Sequence, residues 1–105
     1  MEVNKLMTEE FKEMKKQLGI SSAQEKRLYN FFEETRATIA SGGRVAAIAY
    51  EQKFYDIMNS VSKHHSEPEY FLFECAKERR YEDLYVHFYK GMAKHNQRIE
   101  QYGFS

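Results

Sequence analysis

Four consecutive apolar residues, Tyr70-Phe71-Leu72-Phe73, most narrow what this chain can become. Successive residues of a helix lie about 100° apart, so these four point all the way round it. A helix of that kind has to be buried on every side. The four sit inside residues 66–92, SEPEYFLFECAKERRYEDLYVHFYKGM, the stretch densest in aromatic side chains, which reads as two helices joined by a basic corner. Beyond the corner, Leu84, Phe88 and Met92 form one line, with Tyr81, Tyr85 and Tyr89 beside it at i, i+4 and i+8. That doubled stripe covers about 200° of the helix, against about 100° for an ordinary core face. A second surface is needed, from another helix or from another chain.

The remaining elements follow from period and punctuation. Val3, Met7, Phe11, Met14 and Leu18 recur at helical spacing over residues 2–18, and Gly19 stops that helix by taking the left-handed conformation without penalty. Ser21 or Ser22 opens the next over residues 22–40, each with a Gln or Glu three positions on, the spacing of a capping box. Leu28, Phe31, Phe32, Thr35 and Ile39 give its inward face, and the short connection predicts an antiparallel pair with the first helix. After Ser41-Gly42-Gly43, a helix over residues 46–63 carries Ala47, Tyr50, Phe54, Ile57, Met58 and Val61 on one side; no capping residue precedes Val45. Ser66-Glu67-Pro68-Glu69 then supplies a cap, a first-turn proline and a third-position acid for residues 67–77. The last helix is expected over 81–101, its line continuing through His95 to Ile99; Gly91 inside it suggests the close approach of another backbone. The expectation is all-α, a compact bundle or array of four to five helices in one domain spanning residues 1–105.

Charge and composition remove several function classes. Sixteen basic residues balance sixteen acidic ones, and residues 1–52 carry eight of each, so no basic excess exists to neutralise nucleic-acid phosphates or meet an anionic membrane. Leu, Ile, Val and Phe together make 22 of 105 residues, a low share for a packed core, which eight Tyr and five Met supplement. The single Cys75 cannot form a disulfide within these residues and fits a reducing compartment. No apolar run is long enough to span a bilayer, and the start MEVNKLMTEEFKEMKKQ is too charged for a signal peptide, so a soluble, cytoplasmic protein is expected.

With these residues laid out, the chain resembles the YhaI-like family of small helical proteins over about residues 11–95. The resemblance rests on LGIS at 18–21, LYNFFEE at 28–34, the aromatic-led helix at 50–58 and AKERRYEDLYVHF at 76–88. Arg79-Arg80 departs from the small or apolar residues the family pattern would place at that corner, and Gly42-Gly43 looks local to this chain. The resemblance implies an all-helical fold and supplies no activity, ligand or site.

Each chemistry-bearing cluster has a plainer competitor. His64-His65 with Glu67 and Glu69 lacks the i, i+3 or i, i+4 spacing at which helices hold metals, and reads as a polar helix end, so no metal is expected. Asp83 and His87 stand at i, i+4, but no hydroxyl or thiol lies nearby for such a pair to activate. Cys75 falls on the helix predicted to be buried, where a thiol is inert packing. No catalytic residue, cofactor or enzymatic activity is therefore expected. Lys77, Arg79 and Arg80 offer an anion or acidic-partner contact, against the reading that Glu78, Glu82 and Asp83 neutralise them. The expected function is a non-enzymatic protein-interaction or regulatory module, meeting a protein partner or a second copy of itself through Tyr81, Tyr85 and Tyr89. A binder of anionic or nucleotide-like small molecules, gripped by Arg79 or Arg80, stands second. A DNA-binding regulator ranks last.

Overall fold

A computed structural model describes residues 9–59 and 66–105. Within them the chain forms six helices and no strand: α1 Glu9–Leu18, α2 Ser22–Ala40, α3 Ala47–Met58, α4 Ser66–Lys77, α5 Glu82–Tyr89 and α6 Ala93–Tyr102. The expected all-helical architecture is therefore present, with one helix more than the sequence suggested. Residues 2–8 of the expected first helix, and 60–63 of the third with the His64-His65 pair, lie outside the described residues.

Local chemistry sets several of the boundaries. The Ser21 Oγ accepts from the Gln24 N–H at 3.1 Å while the Gln24 side chain accepts from the Ser21 N–H at 2.9 Å, so the capping box is closed on Ser21 rather than Ser22. Gly19 stands at φ 70°, and the Ile20 N–H reaches back to the Lys15 carbonyl, closing the end of α1. Asn59 takes the same left-handed conformation at φ 56° and ends α3 five residues sooner than periodicity alone predicts. At the end of α4 that position falls to Arg79, φ 61°, with the Arg80 N–H bonded to the Cys75 carbonyl.

The helix expected over 81–101 is two helices. Gly91 adopts φ 102°, which a helix cannot contain, and Lys90 is extended, so α5 stops and α6 restarts at an angle. A methyl group added at Gly91 would meet nothing within 4 Å. Gly91 is thus a turn residue, not a site of close backbone approach. Met92 leaves the apolar line at the break and is 47% exposed.

Helix α4 is the centre of the molecule, packed by α1, α3 and α5. Phe71, Leu72, Cys75 and Ala76 have no exposed surface, and Tyr70 and Phe73 are partly covered. This is the all-round burial that the four-residue apolar run demands. Helix α1 packs chiefly on α4, where the Phe11 and Phe71 rings lie 6.3 Å apart, rather than pairing with α2 as its short connection suggested. Tyr50 of α3 knits the other side: its ring stacks on Phe88 at 5.2 Å and its hydroxyl donates to the Pro68 carbonyl at 2.6 Å. Such a fully buried tyrosine is stable only because its polar end has a partner.

Candidate interaction surface

The tyrosine stripe is closed from within. Tyr85 and Tyr89 have no exposed surface, so of the interface expected at Tyr81, Tyr85 and Tyr89 only Tyr81 keeps any surface in this fold. The second layer that the stripe requires comes from the same chain. Tyr85 meets Phe73 of α4 at 5.7 Å and Phe104 of the tail at 5.4 Å, and Tyr89 stacks on His95 of α6 at 4.5 Å. Tyr89 also donates to Glu51 of α3 at 2.9 Å. Tyr81 is half-buried, stacked on Tyr29 at 5.6 Å beneath the Arg36 guanidinium and donating to Glu33 at 2.8 Å. Burial, then the Glu33 hydrogen bond, pushes its phenol up to about 12.

The basic corner is also spoken for. Lys77 pairs with Glu10 and Glu74, each at 3.1 Å. Arg79 donates to the Tyr102 carbonyl at 2.8 Å and the Gly103 carbonyl at 3.3 Å, gripping the negative end of α6, and pairs with Glu82. Arg80 lies 4.4 Å over the Phe11 ring and bonds to Glu78 and to the Tyr29 hydroxyl. All three cations hold elements together, and only Arg79 and Arg80 use partners within the turn. Asp83 and His87 are not a pair either. Burial raises the Asp83 carboxyl, but bidentate hydrogen bonds from Arg36, at 2.7 and 3.0 Å, outweigh it and hold the group below its ordinary value. Cys75 is fully buried, and desolvation pushes its thiol far up, the opposite of what a nucleophile needs. Among the described residues no group of three His, Cys, Asp or Glu side chains could hold a metal ion, and no helix is long and apolar enough to cross a membrane.

A different corner is left with chemistry to offer. The α2–α3 loop and the start of α3 face the end of α5 across a concavity of about 370 Å³. Arg44, Val45, Ala46 and Ala47 form one wall; His87, Phe88 and Lys90 form the other. His87 Nε2 lies 3.1 Å from the Val45 carbonyl oxygen and 3.3 Å from its N–H, so either tautomer ties the loop to α5. No side chain caps α3, whose N-cap is Ala46, and its first turn carries no acid. The partial positive charge of that helix end is therefore unanswered. The Arg44 and Lys90 side chains are exposed and make no ion pair or hydrogen bond among the described residues. Among the described residues no carboxylate lines the concavity. Two exposed hydrophobic residues flank it in sequence, Ile48 at 53% exposure and Met92 at 47%.

Other depressions on the described surface carry acids. The one between α1 and α4 is acidic, with Lys77 among Glu9, Glu10, Glu13 and Glu74; the one between α4 and α6 sets Lys94 and Arg98 against Glu69 and Glu74; and the one between α2 and α3 sets Arg27 and Lys53 beside Glu34. Of the α3–α5 corner, the sequence displays one sign, a helix start with no Ser, Thr, Asp or Asn before it. That Lys90 and His87 would face it depends on the turn at Gly91 and on how α5 crosses α3. Compared with protein-family models, with curated proteins and with solved structures, the chain shows no significant match to any of them.

Proposed function

We propose that this domain is a non-enzymatic interaction module that receives an acidic, apolar-flanked segment of a partner protein at the α3–α5 corner. The observation that carries this reading is a concavity holding two unpaired cationic side chains and an uncapped helix start, with no carboxylate among the described residues of its lining. Ile48 and Met92, one and two residues along the chain from its lining, supply exposed apolar area, the usual companion of charge at a protein interface. The likeness to the YhaI-like family remains part of this proposal, resting on the order of its motifs alone.

Calorimetric titration with a peptide alternating Asp or Glu with Leu or Phe tests the reading. Binding should weaken as salt is raised, because the charges are exposed. Arg44→Glu with Lys90→Glu should weaken it at least about tenfold, since one charge-assisted hydrogen bond contributes about 1.5–3 kcal/mol. Equal binding by the double variant, or by a basic peptide of the same pattern, contradicts the proposal. A second reading, a free anionic small molecule in the same concavity, is favoured by its volume, which lies in the range of ligand sites. Saturable binding of a nucleotide in place of the peptide would establish it.

A further inference from the structure

Helix α6 rests on the chain through a few side chains: Tyr102 and Arg98 lie against the Phe73 ring, Ile99 is partly buried against the core, and the one deep anchor is polar. His95 is the one buried residue of α6, 1% exposed. Its Nδ1 lies 2.5 Å from the Tyr85 hydroxyl and its Nε2 3.3 Å from a Glu69 carboxylate oxygen. The neutral tautomer with the proton on Nε2 satisfies both: Nε2–H donates to Glu69, and Nδ1 accepts from Tyr85. At its start α6 meets the Gly91 turn, φ 102°, where the Gly91 N–H is held by the Asn96 side chain. At its end Phe104 tucks beside Phe73 and Tyr85, while Arg79 grips the last carbonyls. Under α6 and this tail lie the Tyr85 and Tyr89 rings.

We propose that α6 and residues 103–105 form a releasable cover over the Tyr85–Tyr89 face of α5, latched by His95 between Tyr85 and Glu69 and opened when His95 is protonated. A second ring proton converts Nδ1 from acceptor to donor and turns it against the Tyr85 O–H, which then has to surrender its acceptor in a buried place. The charged ring would face the Tyr85 and Tyr89 phenols from α5, the Glu69 carboxylate from α4, Lys94 and Arg98 from α6, and Glu51 of α3 behind Tyr89. Burial holds the imidazole below its ordinary value; the pull of Glu69 upward is smaller, and Lys94 and Arg98 push with burial. The open form thus takes the proton first. Closure is complete above pH ~6.5 and weakens as pH falls from there toward the lower closed-state value, each unit of lowering contributing up to about tenfold in the opening constant. This device is independent of the α3–α5 corner, and it would expose the aromatic face that the closed fold hides.

Hydrogen exchange of the whole chain, read by mass spectrometry at pH 7.5 and 5.5 and scaled to a common chemical rate, provides the test. Residues 93–105 should lose protection at least about threefold at the lower pH, while residues 66–77 keep theirs. His95→Gln should remove that difference. Where that variant does not fold, Glu69→Gln serves: it keeps an acceptor for Nε2–H but removes the charge that favours the imidazolium, so its acid loss should exceed the parent's. Unchanged protection of 93–105, loss spread evenly over all helices, or a smaller acid loss in Glu69→Gln each overturns the proposal.

Discussion

At the scale of single residues, the fold tolerates polar groups only where it also supplies a partner. The Tyr50, Tyr85 and Tyr89 hydroxyls each have one, a backbone carbonyl, an imidazole and a carboxylate respectively. Thr35 is an exception among the described residues, its hydroxyl buried at 2% residue exposure without a hydrogen bond. An unsatisfied buried hydroxyl costs about 1–3 kcal/mol, and valine keeps the shape while removing it. Thr35→Val should therefore raise stability by about 1 kcal/mol in a urea titration. A loss of stability would mean that the hydroxyl has a partner in solution. Thr35 was legible as an inward-facing position from helical spacing; that its oxygen goes unpaired depends on what α2 meets, which spacing does not encode.

At the scale of elements, periodicity and capping gave the helices and missed one break. Leu84, Phe88, Met92, His95 and Ile99 recur at helical spacing straight through Gly91, so the pattern reads as continuous. The structure shows two shorter helices whose apolar residues serve different neighbours, with Met92 turned out to solvent. The break lets α6 fold back over α5 and supplies the second layer that the tyrosine stripe requires. The element-scale consequence is specific. If Tyr85 and Tyr89 are core, replacing both by Ser creates two cavities and takes one hydrogen bond each from His95 and Glu51, and truncations of this kind cost about 3–5 kcal/mol each. The double variant should lose cooperative thermal unfolding, as followed by circular dichroism. Retention of the parent's melting temperature would return the stripe to the surface.

At the scale of the whole molecule, pairs distant in sequence decide which charges remain to meet a partner. Arg36 joins Asp83 and Lys77 joins Glu10, separations of 47 and 67 residues that only the topology creates. These bonds withdraw the basic corner at 77–80 from binding and leave Arg44 and Lys90 unanswered beside the α3 start. A balanced composition therefore conceals a locally basic concavity. All-helical class and the buried α4 can be read from composition and spacing. The α3–α5 corner cannot, because its two walls are joined by His87 reaching Val45, 42 residues away, a pairing that only the topology creates.

With the aromatic face closed within one chain, partner binding is proposed to fall to the α3–α5 corner. Amide chemical shifts of the isotope-labelled chain, titrated with the acidic peptide, distinguish the surfaces. Saturable shifts are expected at residues 44–48 and 86–92 alone, and are expected to vanish in the Arg44→Glu, Lys90→Glu variant. Shifts centred instead on residues 77–82 or on α6, or none at millimolar peptide, would contradict that proposal.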